Sequence, residues 1–343
     1  MVVIIEVYAD VLCGWAYIGK RRLERALELL DGRVQAAVVW RPYLIDPTAP
    51  SPSTDLADAL AEPAIDAAMQ RCSPGADAIV VRRSVADLAI EELAVERWGA
   101  QWRASSWAAH RLITSALDQG SQRQNDVIEM IMASHFVQGA DINDLAFLRS
   151  VADRYGLPDP VAVPGGSSAL AYLQPGVDRD DPVERATREA SLFGQAIGVA
   201  TSPTFVINDV IIETGAQPPE LLADAIAFAA DGSTSPIPDE VRRFRAARSL
   251  LEQRNPRGCL YLLEPLRPEY DGVRGFETLT ARALAASASL APAKAKLEEL
   301  LQAHPDDAYL QLLLGKTLKR MQDPQADKHL ALATAMNPEY LDF

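Results

Sequence analysis

The chain has 343 residues, 48% of them hydrophobic, and a formal net charge of −14. Its length favours two domains over one, while the negative charge argues against nucleic acid or an anionic membrane surface as a main partner. There is no run of about eighteen apolar residues and no basic stretch leading into an apolar segment at the start, so we expect a cytoplasmic protein with no membrane partner. The three cysteines, at positions 13, 72 and 259, are scattered and odd in number, which predicts reduced thiols and no disulfide framework.

The first predicted elements place Cys13 between a strand and a helix. Residues 2–8 form a β-branched run of strand length, and residues 19–30 repeat apolar side chains at helical spacing. Unpaired N–H groups and the positive dipole end of a helix amino terminus stabilise an anion, which predicts that the pKa of the Cys13 thiol lies below its usual value of about 8.5. Asp10 opposes this shift if it lies close. A half-buried cysteine that serves only as a small hydrophobe is an equally good interpretation.

The residues Cys13, Gly14, Trp15 and Ala16 occupy the four positions of a C-x-x-C redox motif whose second cysteine is missing. In such a pair the first thiolate forms a mixed disulfide that the second thiol resolves, and Ala16 has no sulfur with which to do so. Cys13 is therefore predicted to act alone as the catalytic nucleophile. Trp15 is a candidate substrate-binding residue that could line a pocket beside Cys13, although it could equally fix the helix entry by packing.

Farther along the chain, strand and helix signals follow an order typical of one fold class. A second strand is predicted over residues 34–40, and after a proline-rich stretch the periodicity is helical from about residue 54 to 195. A hairpin and a last helix follow, so the order predicts an α/β thioredoxin fold with a helical domain inserted after its second strand. The individual segments are helices over 85–98, 107–119, 127–137 and 143–155, hairpin strands over 204–207 and 210–213, and a helix over 218–230.

Several short stretches of this first part carry a family resemblance. They are Asp10 to Lys20 around the cysteine, Trp40 to Tyr43 with Asp46-Pro47, Ala109 to Leu112, His135-Phe136, Gly139 to Ile142, Gly198 with Ser202 to Phe205, and Gly215 to Pro218. Together they resemble the DsbA family, and within it the FrnE-like branch, over about residues 3–230. The resemblance implies thiol-disulfide chemistry at Cys13.

The resemblance also implies roles for two residues far from Cys13 in the sequence. Ser202 and Pro203 lie in a loop similar to the cis-proline loop of the family, where valine usually takes the place of Ser202. Pro203 is thus expected to be cis and to pack beside Cys13, which would expose the backbone of Ser202 to an extended thiol-bearing substrate. As an alternative, Pro203 is simply the first residue of an edge strand. Because the family usually has C-P-W-C, the departures at Gly14 and Ala16 put dithiol oxidase activity in doubt.

No metal site is expected in this chain. The four histidines, at positions 110, 135, 304 and 329, have no metal-ligand spacing with one another or with the cysteines. His110 lies on an amphipathic segment, which favours a core or supporting position over a catalytic one.

A second change of composition marks a domain boundary. Residues 231–240 have the proline, glycine and serine content of an exposed linker, and everything after them is helical. There Pro268, Pro305 and Pro338 each close a unit of roughly 35 residues, the period of tetratricopeptide helix pairs. We predict a first domain over 1–230, with its helical insertion over about 53–195, and an all-α domain of tetratricopeptide-like repeats over 241–343. The repeats could bind a protein partner or serve for capping or self-association.

The function expected from these features is thiol-disulfide exchange through Cys13. An external low-molecular-weight thiol would resolve the mixed disulfide, and no bound cofactor is required. Two alternatives stay open. One is an isomerase or transferase that activates a bound thiol cofactor, and the other is a degenerate thioredoxin domain that only binds a protein partner.

Overall fold

The chain divides into two compact units. The computed structural model describes residues 2–59, 78–160, 181–232 and 237–342. Residues 1–194 and 199–236 belong to the first unit, and residues 195–198 and 237–343 belong to the second. Cys72, part of the predicted insertion and residues 233–236 of the predicted linker lie outside the described residues. In the part that is described, no helix is long and apolar enough to cross a membrane.

The first half of the chain and its continuation to residue 232 contain two sheets and the helices around them. In chain order the elements are β1 (Val2–Ala9), α1 (Gly14–Leu29), β2 (Gln35–Pro42), β3 (Thr54–Asp55), α2 (Leu56–Ala59), α3 (Ala78–Leu93), β4 (Trp102–Arg103), α4 (Trp107–Ala116), α5 (Ser121–Ala133), α6 (Leu145–Tyr155), α7 (Pro182–Ala196), β5 (Thr204–Ile207), β6 (Ile211–Thr214) and α8 (Pro219–Asp231). A π-helical turn, Ser134–Gln138, continues α5.

The main sheet has the strand order β2-β1-β5-β6. β1 pairs in parallel with β2 and antiparallel with β5, so it is the central strand, and six of its eight residues are buried. A strand that is paired on both edges and covered on both faces needs a nearly continuous apolar run, which the β-branched sequence of β1 supplies. The predicted strands and the hairpin are confirmed, and the hairpin turns through Asn208 and Asp209, which both have positive φ.

Helix α1 follows β1 after a short turn and lies against α8 and α3. It buries Leu23 and Ala26, which lie at helical spacing, in the same core as residues of β1. The helix begins at Gly14, five residues before the apolar repeat noted over 19–30. The early start places Cys13 at the N-cap position itself, next to the unpaired N–H groups of the first turn.

The helices between β2 and β5 match the predicted helical region, with one error of placement. The prediction of a helix over 85–98 is wrong in its bounds, because α3 ends at Leu93 and Ala94 adopts a φ of 53°. Trp98 consequently lies outside the helix, in the connection to β4. The predicted helices over 107–119, 127–137 and 143–155 correspond to α4, to α5 with its π turn, and to α6.

The second unit is helical in all the elements described after residue 237. These are α9 (Asp239–Glu252), α10 (Pro256–Leu263), α11 (Arg267–Tyr270), α12 (Arg274–Ala286), α13 (Leu290–Ala303), α14 (Ala308–Arg320) and α15 (Ala326–Met336). Neighbouring helices pack as hairpins, α9 with α10, α12 with α13, and α14 with α15. Gly315 lets α14 approach α15 closely, because a Cβ there would lie 2.8 Å from Cγ of Leu330.

Candidate functional site

The turn that joins β1 to α1 holds the candidate nucleophile. The backbone N–H of Cys13 donates to the carbonyl of Asp10 at 3.0 Å, and the N–H of Ala16 donates to the carbonyl of Cys13 at 3.0 Å. Cys13 has extended backbone dihedral angles and is partly exposed. The site therefore presents one sulfur at the first turn of a helix, where Ala16, which is 0% exposed, offers no second one.

The loop before β5 meets this turn, so the structure brings Cys13 and Ser202 together. The Cys13 thiol donates to the carbonyl oxygen of Ser202 at 3.3 Å, and the N–H of Asp10 donates to the Ser202 hydroxyl at 2.9 Å. The peptide bond between Ser202 and Pro203 is cis. Pro203 packs against α1 at Gly19, where a Cβ would lie 2.8 Å from Cγ of Pro203. Glycine at this position of the helix thus lets the loop approach the site.

The expectation of a low thiol pKa is wrong. Burial of the group raises the pKa of Cys13 to about 11, and the negative charge of Asp10 raises it as well. The Ser202 hydroxyl and the backbone N–H groups of Ala16 and Trp15 lower the pKa, as the helix argument requires, but they do not compensate for the lost hydration of the thiolate. At neutral pH Cys13 is a thiol, in agreement with its role as the donor to the Ser202 carbonyl.

Gly14 marks the place where α3 and the following connection cover the start of α1. A Cβ on Gly14 would lie 2.9 Å from Cγ1 of Val85 in α3 and 3.3 Å from the ring of Trp98. At distances this short a Cβ fits only if Val85 or Trp98 moves. Glycine replaces the proline usual in the family at this position, but no signal in the sequence identified Val85 or Trp98 as its neighbours.

An aromatic stack lies behind this cover. The rings of Trp98 and Phe136 are 4.4 Å apart and nearly parallel, and Tyr17 lies 5.8 Å from Trp98. Tyr17 is 2% exposed and donates its hydroxyl to Oε1 of Glu129 at 2.6 Å, so it packs in the core and does not line an open pocket. Trp15, by contrast, is partly exposed, and its side chain has no hydrogen bond or ring partner among the described residues.

A buried carboxylate and two buried histidines lie beneath the turn. Asp10 is 0% exposed, and its carboxylate accepts the N–H groups of Leu12 at 3.1 Å and of Ile45 at 2.8 Å. Nε2 of His110 lies 3.6 Å from Oδ1 of Asp10, which agrees with the supporting position predicted for this residue. Burial lowers the pKa of His135 to about 4, so its ring is neutral at physiological pH. Sequence reasoning missed His135 except as one element of the family resemblance.

The other described thiol is unsuited to exchange. Cys259 is 0% exposed on α10 of the second unit, and burial raises its pKa to about 12. Cys72 lies outside the described residues. Among the residues that the structure describes, no group of three histidine, cysteine or acidic side chains is arranged to hold a metal ion.

A mixed sheet in this order, with a helix that starts at a cysteine and a proline loop that packs against the same helix, defines a thioredoxin-like domain. The helices between β2 and β5 distinguish it from the simplest members of that class. The chain belongs to the family of DSBA-like thioredoxin domains, whose family model matches residues 4–227. The predicted fold class, a thioredoxin-like domain followed by a largely helical region, is confirmed.

Two solved structures resemble the chain. The crystal structure of a probable DsbA oxidoreductase from Streptomyces coelicolor is 22% identical, with a TM-score of 0.50, and the match covers 69% of this chain and 93% of that one. A protein from Nitrosomonas europaea, whose proposed activity is that of a protein disulfide isomerase, is 14% identical with a TM-score of 0.43, over 66% of this chain and 97% of that one. At the first of these identities the likeness supports the fold alone. No curated protein matches the sequence.

Proposed function

We propose that this protein is a thiol-disulfide oxidoreductase of the FrnE-like branch that acts through Cys13 alone. The observation that carries the proposal is the position of the Cys13 sulfur, which belongs to a partly exposed residue at the first turn of α1 and lies 3.3 Å from the Ser202 carbonyl. In this position the sulfur and the backbone of the proline loop face the same space. A substrate that pairs with the loop in an extended conformation would present its own sulfur to Cys13.

The reaction is an exchange in which one disulfide is consumed and one is formed. Cys13 loses its proton to solvent, and its thiolate attacks one sulfur of a substrate disulfide, whose second sulfur leaves as a thiolate and takes up a proton. An external low-molecular-weight thiol then attacks the substrate sulfur of the mixed disulfide, so that Cys13 is released and a new disulfide forms between the external thiol and the substrate. No electrons are gained or lost overall, and no second protein thiol is needed.

Ionisation of Cys13 also prepares the binding surface. The neutral Cys13 thiol donates a hydrogen bond to the Ser202 carbonyl oxygen, whereas a thiolate has no proton to donate and can only accept hydrogen bonds. Loss of the proton therefore frees the carbonyl for an N–H group of the substrate. The Ser202 hydroxyl, which lowers the Cys13 pKa, stabilises the thiolate in the same step. Trp15 is two residues along the chain from Cys13 and partly exposed, and we propose it as a contact for the substrate.

The high pKa gives the exchange a recognisable kinetic character. With a pKa of about 11, about one Cys13 in ten thousand is ionised at pH 7, so attack is slow. Cys13 is a poor leaving group for the same reason, because a thiolate of high pKa departs slowly. The mixed disulfide is consequently expected to be long-lived. Dependence on an external thiol fits a reducing compartment, and we assign the protein to the cytoplasm.

A second candidate function rests on the same thiol. A protonated cysteine that donates to Ser202 contributes to the structure of the loop without any redox step. This observation favours a degenerate domain that binds a protein partner. The two functions differ in whether Cys13 forms a covalent adduct during exchange.

Intact mass spectrometry of the full chain with oxidised glutathione decides between them. The oxidoreductase should gain one glutathione, which peptide mapping places on Cys13 and which added reduced glutathione removes. Cys13→Ser should gain none, and Cys259→Ser should behave as the wild type. Absence of an adduct after long incubation at pH 9 would contradict the proposal and favour the binding domain, as would an adduct on another cysteine only.

A further inference from the structure

The second unit contains an open groove between two of its helices. Its volume is about 660 Å³, and successive turns of α9 and α12 line it. Side chains at the floor are apolar, with Leu279 4% exposed and Phe244 partly buried. The rim is mostly basic. The lining residues are Phe244, Arg248 and Glu252 from α9, and Arg274, Thr278 and Arg282 with Gly275 and Leu279 from α12.

The three arginines of the groove carry more positive charge than their neighbours neutralise. Arg282 is half-buried and has neither an ion pair nor a hydrogen bond within the described part of the chain. Arg248 pairs with Glu252 one turn away at 3.0 Å, but both side chains are more than half exposed, and such a pair contributes little. Arg274 contacts Asp307, whose carboxylate also caps α14.

A half-buried arginine without a counter-charge is costly, because part of its hydration is lost and nothing replaces it. Guanidinium groups have five N–H donors, so even the paired Arg248 and Arg274 keep donors for a further carboxylate. In a chain with a net charge of −14, three arginines around one apolar floor are a local reversal of sign. A ligand with carboxylates and an apolar group would pair with the arginines and cover the apolar floor.

We propose that this groove binds an acidic, extended segment of a partner protein. Its carboxylates would pair with Arg248, Arg274 and Arg282, and an apolar side chain between them would pack on Phe244 and Leu279. The groove is open along its length, so it suits a chain that passes through it better than a small molecule, which binding sites usually enclose. Aromatic and arginine side chains at the centre are also the residues that most often dominate binding energy in protein interfaces.

Fluorescence anisotropy with the full-length protein tests this assignment. The probe is a fluorescein-labelled peptide of twelve aspartate and glutamate residues with a central leucine pair, and its control has asparagine and glutamine in place of every acid. The acidic peptide should bind and the neutral one should not, and affinity should fall as added salt shortens the Debye length below about 10 Å. Arg282→Gln and Arg248→Gln should each weaken binding about tenfold, equivalent to about 1.4 kcal/mol.

Arg257→Gln is the matched control. Arg257 is exposed on α10 and does not line the groove, so its variant should bind as the wild type does. The proposal is overturned if both peptides bind equally, if neither binds, or if loss of Arg248 and Arg282 leaves the affinity unchanged. Tighter binding of a labelled single-stranded oligonucleotide in the same groove would also overturn it. If Arg282→Gln does not fold, the exposed Arg248 carries the test.

Discussion

Replacing Gly14 by alanine tests whether α3 really closes over the start of α1. The added Cβ would lie 2.9 Å from Cγ1 of Val85 and 3.3 Å from the Trp98 ring. Valine is stiff at its first torsion, so its methyl group cannot turn aside without moving α3. In an open helix the same change would be favourable, because glycine costs about 0.5–1 kcal/mol relative to alanine. Helix propensity therefore predicts that Gly14→Ala raises the free energy of unfolding, whereas the contact with Val85 and Trp98 predicts that it lowers it.

The contact should prevail. Overpacking a filled site usually costs about 1–3 kcal/mol and the gain in helix propensity is about 0.5–1 kcal/mol, so we expect a net loss of about 1 kcal/mol in the free energy of unfolding. Val85→Ala removes the two methyl groups of the valine. It should therefore lower the free energy of unfolding less in the Gly14→Ala variant than in the wild type. Residues in direct contact commonly show a coupling energy of about 0.5–3 kcal/mol in such a cycle. The displaced cover should also expose Cys13, so its alkylation should become faster in Gly14→Ala.

Urea unfolding followed by tryptophan fluorescence measures the loss of stability in the first structural unit. All five tryptophans fall in the first unit, so the second unit contributes none of the signal: they are Trp15, Trp40, Trp98, Trp102 and Trp107. Gly99→Ala is the matched control, because a Cβ there meets nothing within 4 Å, and it should change the stability by less than about 0.5 kcal/mol. Equal stability of Gly14→Ala and wild type, or no coupling with Val85→Ala, would refute the reasoning.

Four further predictions concern ionisation and domain structure. With a pKa of about 11, alkylation of Cys13 should accelerate about tenfold per pH unit from pH 7 to 10, and a plateau near pH 8.5 would contradict the burial of the thiol. Because the Cys13 pKa is higher in the folded than in the unfolded state, the neutral thiol stabilises the folded protein below the ordinary thiol pKa, and this stabilisation is lost as the pH rises toward 11. Cys13→Ser has no thiol to ionise, so it should unfold at a higher pH than the wild type. Ser202→Val removes the hydroxyl that lowers the Cys13 pKa and should slow alkylation at pH 9, whereas Ser202→Thr should retain the wild-type rate; equal rates for the valine variant and wild type would exclude this role. A fragment ending at Asp231 contains the complete sheet and α8, so it should melt cooperatively, and a fragment that stays unfolded by circular dichroism would show that the first unit depends on the second.

The fold was largely predictable because its signals are local. Strand β1 and the hairpin of β5 and β6 are β-branched runs bounded by turn residues, and such runs identify a strand without knowledge of its neighbours. The placement of α3 failed for a physical reason. Trp98 continues the apolar spacing past the end of the helix at Leu93, since it packs on Phe136 from a connecting segment. Periodicity reports which side chains are buried, and not whether the backbone between them is helical.

The site was predictable only in part. Cys13, Ser202 and Pro203 could be identified from the family resemblance, and the structure places them together, while their roles stay predictions. The pKa could not be predicted from the helix terminus, because desolvation of the thiolate depends on tertiary packing around it. The cover over Gly14 comes from Val85 and Trp98, about 70 and 80 residues away in the sequence, and one sequence contains no record of such a contact.

The two departures from the C-P-W-C motif, at Gly14 and Ala16, have separate physical consequences, which can be tested independently. Ala16 removes the resolving sulfur, so Ala16→Cys should restore dithiol oxidation of a model peptide without added small thiol. Gly14 allows the cover to close, and proline there would bring its Cβ against Val85 as alanine would. Ala16→Cys on the Gly14 background should therefore gain activity while α3 stays in place, although Ala16 is 0% exposed and the added sulfur should cost about 1–3 kcal/mol.

Adding Gly14→Pro to Ala16→Cys should lower the stability further, and Val85→Ala should recover part of that loss. Peptide oxidation and urea unfolding of the wild type and of these three variants separate the redox effect from the packing effect. Dithiol turnover by the wild type at the level of Ala16→Cys would contradict the assignment of Cys13 as the only redox thiol. A fully stable variant with proline at position 14 would contradict the closed cover, because the two side chains could then share a space in which the structure leaves no room.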